Sequence, residues 1–299
     1  MFENAVSLRS QVTLACLTLV LFIATGCTRP RTDASWFPQG DIRRGQYLTA
    51  VFCCQECHTV RQTDGIHLDR NLLFAGGNPF PGVDGSLVHA ANVTIASQYP
   101  EEVLEGIIRG RLGYKFAMPT DLYNGMSADD MRDIIAYIKT LQPVLLPQSD
   151  NRLPANLLLP APNPLVPIPK HEPAVGTVER GEYLSRMFLC RDCHSPRDSS
   201  GAYSLGHSFE GGGFQIRLAD GRMLFAPNLT PDPQTGLGTW SDADIVRAVR
   251  TGVARDGQQL NHWMPYLVAF HDMSDEDASD LVRFLRSLRP VKRSWPPNP

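Results

Sequence analysis

The strongest constraint on this chain is an internal repeat of about 100 residues. Residues 45–60, GQYLTAVFCCQECHTV, align without a gap with residues 181–196, GEYLSRMFLCRDCHSP. The likeness ends with residues 125–144, GMSADDMRDIIAYIKTLQPV, which correspond to residues 272–291, DMSDEDASDLVRFLRSLRPV. Solenoid repeats have shorter periods of about 20 to 50 residues. The longer period here predicts two tandem domains of related structure.

The repeat sets the predicted boundaries of the domains within the 299 residues. We predict a first domain over residues 41–145 and a second over residues 177–299. Residues 146–176, between them, are rich in proline, which interrupts helices and central strands. We therefore expect an extended, semi-rigid linker that lies partly on the domains.

The amino terminus has the pattern of an export signal. Arg9 precedes an apolar run, residues 12–27, that is short for a membrane-spanning helix and has the proportions of a signal peptide. The run ends in ATGC, which resembles a bacterial lipoprotein cleavage box. We predict a lipoprotein-type signal peptide over residues 1–26, lipidation of Cys27 and a tether over residues 27–40. Ordinary cleavage nearby and an uncleaved anchor are the alternatives, and each places the remaining chain on the periplasmic side of a bacterial membrane.

Helix signals recur at the same places in both repeats. The last helix has the clearest signals, because Ser127 and Ser274 are predicted N-caps and Asp130 and Asp277 follow three residues later, as in a capping box. Apolar residues at helical spacing follow these caps, namely Met131, Ile134, Ile135, Ile138, Leu281, Val282 and Leu285.

Two further helices are predicted in each repeat. The first is expected to run from about residue 42 into Cys54, and from about residue 178 into Cys190. A middle helix follows YPEE in the first repeat and WSDAD in the second, where Ser241 is the predicted N-cap. Strand signals are weak, so the sequence predicts an all-α protein with long loops. Loops of this length in a small domain indicate that something fills its centre.

Each repeat contains one C-x-x-C-H motif, the attachment sequence of c-type haem. The motifs consist of Cys54, Cys57 and His58 in the first repeat and Cys190, Cys193 and His194 in the second. Cysteines three apart on a helical turn share a face, so both thiols can reach the two vinyl groups of one porphyrin while the histidine faces the iron. We predict two covalently bound haem c groups.

Two other chemistries also use closely spaced cysteines. A thioredoxin-like motif needs a βαβ context that the sequence does not suggest, and a zinc site within one repeat would lack ligands. The additional Cys53 has Leu189 as its counterpart, which indicates a buried apolar position.

Methionine is the predicted second axial ligand of both irons. Met118 and Met264 recur at matching positions, each before a proline that keeps the methionine out of a helix and on a pinned loop. Met126 and Met273 also recur, but each directly precedes an N-cap serine and is expected in the core. His262 is the competing ligand in the second repeat.

Both repeats resemble class I cytochrome c domains, and the resemblance covers residues 41–144 and 178–291. In the second repeat the segment APNLTPDPQTGLGTWSDADIVRAVRTGVARDGQQL, followed by MPY and MSDED, is similar to tandem-haem cytochromes that serve periplasmic dehydrogenases and respiratory chains. The resemblance implies an all-α fold of two tandem cytochrome c domains, each wrapped around a covalently bound haem.

The same resemblance implies roles for individual residues. Gly45 and Gly181 would let the first helix cross the last helix closely, against Tyr137 and Phe284. Trp240 would pack near its haem. The first repeat departs from the pattern, because it lacks the TGLGTW segment and has a tyrosine in place of the tryptophan.

These features favour electron transfer by two haems with His/Met ligation, between a periplasmic redox donor and a respiratory acceptor. The alternatives are a di-haem peroxidase, which needs an open iron, a haem-based sensor, and an electron-transfer subunit of a dehydrogenase complex. The net charge of −3 provides no basic surface for nucleic acid. No small-molecule substrate is expected.

Overall fold

A computed structural model describes residues 39–81, 85–112, 118–147, 149–153, 161–198, 207–218 and 220–295. Residues 39–299, which include both repeats, form one compact unit. The predicted signal peptide, tether and lipidated Cys27 lie outside the described residues, apart from the last two positions of the tether. Within the described ranges, no helix has both the length and the apolar character to span a bilayer.

In its described residues, the first repeat contains five helices and one small hairpin. The helices are α1 (Ile42–Val51), α2 (Cys54–His58), α3 (Glu101–Ile108), α4 (Thr120–Tyr123) and α5 (Ala128–Ile138), with 3₁₀ turns at Arg70–Leu72 and Thr94–Gln98. Strands β1 (Pro79–Pro81) and β2 (Leu87–His89) pair antiparallel, with Phe80 opposite Val88.

The second repeat has the same plan. Its helices are α6 (Val178–Met187), α7 (Cys190–His194), α8 (Asp242–Thr251) and α9 (Asp275–Ser287), with a 3₁₀ turn at Pro265–Leu267. Strands β3 (Gln215–Arg217) and β4 (Met223–Phe225) pair antiparallel, with Ile216 opposite Leu224. The predicted all-α class is confirmed, since within the described ranges the strands are three residues each and the remaining elements are helical.

The first and last helices of each repeat cross at a glycine. A methyl group at Gly45 would lie 1.9 Å from the carbonyl oxygen of Asp133 and 3.0 Å from Cβ of Tyr137. At Gly181 it would lie 2.0 Å from the carbonyl oxygen of Asp280. Only glycine allows the two backbones to approach this closely. The predicted crossings are therefore confirmed.

The sequence predicted that the first helix runs into the C-x-x-C-H motif, but in the structure it ends before the motif. It ends at Val51, and Cys53 adopts a left-handed conformation with φ of 62° before α2 begins. In the second repeat Leu189 has φ of 59° before α7 begins. Residues other than glycine rarely adopt this backbone conformation. Because it occurs at the equivalent position in both repeats, the kink is a shared feature of the two.

The predicted serine caps are confirmed. The hydroxyl oxygens of Ser127 and Ser274 each accept a hydrogen bond, 3.1 Å long, from the backbone N–H three residues later. Ser241 does the same for α8, and the Asp244 carboxylate in turn accepts from the Ser241 N–H at 3.0 Å. This pair forms a complete capping box.

One hydrophobic cluster contains buried residues from both repeats. The apolar faces of α5 and α9 lie in it, together with Met126 and Met273, as predicted. Cys53 is 5% exposed, which confirms its expected apolar environment. The rings of Phe52 and Phe188, which occupy equivalent positions, lie 5.9 Å apart between centroids.

The proline-rich segment lies against the first repeat where it is described. The N–H groups of Ala128 and Asp129, at the start of α5, donate to the carbonyl oxygens of Pro169 and Lys170 at 2.9 and 3.1 Å. The backbone N–H of Asn163 donates to the Gly110 carbonyl at 2.9 Å. These bonds make the segment part of the folded unit.

Candidate haem sites

The attachment motifs begin the short helices that follow each kink. Cys54 and Cys190 are the first residues of α2 and α7, and Cys57 and Cys193 lie one turn later. All four cysteines are free thiols. Burial raises the pKa of each thiol to about 12, so the thiols are neutral at pH 7. Two adjacent free thiols on one helical turn are the donor set that covalent haem attachment requires.

The two motif histidines are oriented by the same backbone contact. Nδ1 of His58 donates to the carbonyl oxygen of Ala91 at 2.8 Å, and Nδ1 of His194 donates to that of Pro227, also at 2.8 Å. This bond fixes the tautomer and leaves Nε2 to bind a metal. Burial lowers the pKa of both imidazoles, although the carbonyl bond opposes it. Both rings are therefore held neutral, as iron ligation needs.

The loop that carries the accepting carbonyl is itself tied to the end of its repeat. In the first repeat the Asn92 side chain accepts from the Thr94 N–H at 3.0 Å and donates to the Val144 carbonyl at 2.8 Å. The matching contacts in the second repeat join Asn228, Thr230 and Val291. The position of each histidine ring thus depends on a chain of bonds that reaches the last residues of its repeat.

The predicted axial methionines occupy matching positions. Met118 and Met264 are partly buried and pack against the hydrophobic cluster. The carbonyl oxygen of each accepts a 2.8 Å bond from the N–H two residues later, in Thr120 and Tyr266. The equal turns present both thioethers from the same kind of loop. His262, the competing ligand, is exposed and stacks on Trp263 with 5.8 Å between ring centroids.

In each repeat an arginine at the end of the middle helix bonds to the methionine loop, residues 118–126 and 264–273, just before the last helix begins. Arg109 is fully buried, and its Nη1 donates to the carbonyl oxygens of Asn124 and Met126, both at 2.9 Å. Its counterpart Arg250 donates to the carbonyl of Met273 at 2.5 Å. Sequence reasoning missed this pair, although an arginine at the same alignment position in both repeats was an available signal.

The surroundings of the two sites differ at one aromatic position. Trp240 packs against the hydrophobic cluster. Tyr99, which takes its place in the first repeat, is 47% exposed. The two repeats therefore differ at this position, in line with the departure seen in the sequence.

These donor sets fit haem c better than the alternatives. Each repeat offers two free thiols, one neutral and oriented imidazole, and one thioether on a loop. Among the residues that the structure describes, no three His, Cys, Asp or Glu side chains are grouped as a metal site, so no zinc ligand set is found there.

Comparison with known proteins agrees with the geometry. Residues 178–289 match the family model described as cytochrome c. The chain is 28% identical to the fructose dehydrogenase cytochrome subunit of Gluconobacter japonicus over 304 residues, which is 92% of this chain and 58% of that protein. It is 26% identical to the alcohol dehydrogenase (quinone) cytochrome c subunit of Gluconacetobacter polyoxogenes, over 96% of this chain and 63% of the relative.

A third relative matches a shorter region. The diheme cytochrome c-type protein of Cereibacter sphaeroides is 32% identical over 123 residues, 41% of this chain and 40% of its own length. Residues 178–289 are therefore a cytochrome c domain, a type of domain that binds haem covalently. The chain spans about three fifths of the length of the two long relatives.

Proposed function

We propose, from the cytochrome c domain that residues 178–289 form, that the chain carries two haem c groups and transfers electrons between them. The observation that supports a second haem is the histidine contact, which has the same partner position and the same 2.8 Å length in both repeats. In this proposal His58 and Met118 bind one iron, and His194 and Met264 bind the other. The four motif cysteines hold the porphyrins.

Each haem, when bound, supplies an iron that changes between the ferrous and ferric states without making or breaking a bond. The residues of the chain keep that iron in one environment. The carbonyl bond holds each imidazole in place, and an arginine at the end of the middle helix bonds to the end of each methionine loop. Ligands that move little leave little rearrangement to accompany electron transfer.

The partner is proposed to be a dehydrogenase. The two long relatives are named as cytochrome subunits of a fructose dehydrogenase and of a quinone alcohol dehydrogenase. The chain would accept electrons from such an enzyme and pass them to a respiratory acceptor. A di-haem peroxidase is less well supported, because it needs one open iron and both repeats keep the methionine loop.

The proposed location is the periplasmic side of a bacterial membrane, with Cys27 as the lipid anchor. The basis is the amino-terminal sequence pattern alone. Cell fractionation of a Cys27→Ser variant tests it. We expect the variant cytochrome in the soluble periplasmic fraction and the wild type with membranes. A mature wild-type chain whose mass shows no lipid on Cys27 would contradict lipidation, and membrane retention of both proteins with residues 12–27 still attached would favour an uncleaved anchor.

Carbon monoxide binding to the fully reduced holoprotein tests the carrier proposal. We expect two covalent haems per chain by mass and a visible spectrum that carbon monoxide does not change, because both irons are six-coordinate. Met118→Ala and Met264→Ala are the matched positive controls, and each should open one iron to carbon monoxide. A wild-type spectrum that shifts by one haem would favour the peroxidase or sensor, and a single haem by mass would refute the two-haem proposal.

A further inference from the structure

Each repeat places one tyrosine against the last helix of the other repeat. The hydroxyl of Tyr183, on α6 of the second repeat, accepts from the Ser127 N–H at 3.1 Å and donates to the Asp130 carboxylate. In return the hydroxyl of Tyr47, on α1 of the first repeat, accepts from the Ser274 N–H at 3.1 Å and donates to the carboxylate of Asp277. Each tyrosine therefore contacts the amino-terminal cap of the other repeat's last helix.

In the last helices these tyrosine hydroxyls take the place of one hydrogen bond of a standard capping box. In α8 the Asp244 carboxylate accepts from the N-cap N–H itself, at 3.0 Å. In α5 and α9 the phenol hydroxyl stands between the N-cap N–H and the aspartate, so that the box closes through the neighbouring repeat. Neither last helix has its full set of cap bonds unless the two repeats are together.

Charged side chains connect the same junction to the linker. Arg44 and Arg180, at equivalent positions, bind carboxylates of their own last helices. Both also reach the single carboxylate of Glu172, with N–O distances of 3.0 and 3.2 Å. The linker thus supplies one anion between two guanidinium groups that are related by the repeat.

The attachment helices start at this junction. Phe52 and Phe188 are in ring contact across it, and each lies two residues before the first motif cysteine. Sγ of Cys53 lies 4.0 Å from the carbonyl oxygen of Phe188. The residues that lead into both candidate sites therefore touch one another, so the junction fixes the relative positions of the two attachment helices.

We propose that Tyr47 and Tyr183 are positioning residues that hold the two repeats in the one arrangement through which an electron crosses between the haems. This rests on the proposed function. In the step, one ferrous haem is oxidised to ferric while the ferric haem of the other repeat is reduced, with no bond or proton exchanged. Their hydroxyls bond to the caps of the last helices and not to a proposed haem ligand, so they act by fixing the junction.

The experiment uses the full-length holoprotein and the variants Tyr47→Phe, Tyr183→Phe and both together. These changes keep the ring and remove only the hydroxyl. Tyr137→Phe is the matched control, because Tyr137 is a tyrosine of α5 whose pKa is raised by burial alone, with no hydrogen bond to its hydroxyl among the described residues. Two quantities are measured, namely hydrogen exchange at the N–H groups of Ser127 and Ser274, and the rate of electron equilibration between the haems after rapid one-electron reduction.

Tyr47→Phe removes the acceptor for the Ser274 N–H, so faster exchange there is a local effect. The decisive site is the Ser127 N–H, which bonds to the other tyrosine. We expect its exchange to accelerate about tenfold, because loss of a hydrogen bond to a charged group changes an equilibrium by roughly that factor. Tyr183→Phe should have the reciprocal effect on Ser274. Electron equilibration should slow in both variants and most in the double variant, while both haem potentials stay at their wild-type values.

Unchanged exchange at the far serine, or an unchanged equilibration rate in the double variant, would overturn the inference while the two-haem function stands. A purified chain with a single haem by mass would overturn both. Shifted haem potentials in the tyrosine variants would also contradict a positioning role, because they would mean that the hydroxyl acts on the iron environment itself.

Discussion

At the residue scale, the two candidate sites depend on side chains that bond to the backbone of nearby loops, as well as on the proposed ligands. Arg109 is fully buried, and one of its amino groups serves two carbonyl oxygens of the methionine loop. Its Nε also donates to Glu105 at 2.7 Å, which compensates part of the buried charge. The arginine therefore links α3 to the start of α5.

Replacement of this arginine by methionine keeps most of the stem and removes the hydrogen bonds. We expect Arg109→Met to lower the free energy of unfolding by about 1–3 kcal/mol, because the carbonyls of Asn124 and Met126 stay buried without their donor. The looser loop should also let carbon monoxide reach the first iron. Chemical denaturation and the reduced carbon monoxide spectrum measure both effects.

Arg43→Met is the control, because Arg43 is exposed on α1 and such surface changes stay within about 0.5 kcal/mol. Equal stability of the two variants would contradict the role of Arg109. A loss of stability without carbon monoxide binding would show that the arginine supports the fold and leaves Met118 in place.

Residues of local motifs were predictable, whereas residues that act through distant backbone were not. The C-x-x-C-H spacing is read within five residues of the chain. Arg109, by contrast, meets carbonyls 15 and 17 residues away in a loop without periodicity. The carbonyls that orient His58 and His194 lie 33 residues away and carry no side-chain signal at all.

At the element scale, the crossings of the first and last helices leave no space for a side chain. Gly45→Ala should lower the free energy of unfolding by about 1–3 kcal/mol or more, because the added methyl would overlap backbone, which cannot move aside cheaply. Gly181→Ala should behave alike. Thermal or chemical unfolding of the holoprotein measures the change.

Gly125→Ala is the matched control for the helix crossing. Nothing lies within 4 Å of a methyl group at that position, so the variant should be as stable as wild type or up to about 1 kcal/mol more stable. Equal effects at Gly45 and Gly125 would show that loss of glycine flexibility, and not the crossing, determines the result.

These helices and strands show which elements the spacing of apolar residues can predict. The spacing of apolar residues and the serine caps predicted α5 and α9 closely, because both signals are local. The kink at Cys53 and Leu189 was not predicted, since neither residue favours a left-handed conformation and tertiary packing imposes it. The strands β1 to β4 were missed as well, because three residues are too few for an alternating pattern.

At the scale of the whole molecule, the sequence predicted two tethered domains but not their junction. Tyr47 and Tyr183 recur in the alignment, as do the serines and aspartates that they meet, but no pattern in one repeat reveals that its partner lies in the other. The contacts join residues 53 to 230 positions apart.

The junction predicts a loss of stability at high pH. Burial and the hydrogen bond to Asp277 raise the pKa of Tyr47 to about 12, and burial with the Asp130 charge raises that of Tyr183. A phenol whose pKa is raised by folding stabilises the protein fully below its unfolded pKa, near 10, and this contribution is lost as the pH rises through the folded value. The free energy of unfolding should therefore fall between about pH 10 and 12.

Denaturant unfolding of wild type and of the Tyr47→Phe/Tyr183→Phe double variant across this range measures the effect. The double variant should be less stable at pH 8 and should lose less stability on the alkaline side. Parallel pH profiles for the two proteins would mean that other groups cause the alkaline loss.

The linker contacts have a consequence for the order in which the chain is made. Asn163 and residues 169–170 complete the loop and helix start of the first repeat, and they precede the whole second repeat. A chain that emerges amino end first can therefore fold most of its first repeat while the second is still being synthesised. One cap bond of α5, from the Ser127 N–H to the hydroxyl of Tyr183, can form only when the second repeat is present, so the second repeat completes the first.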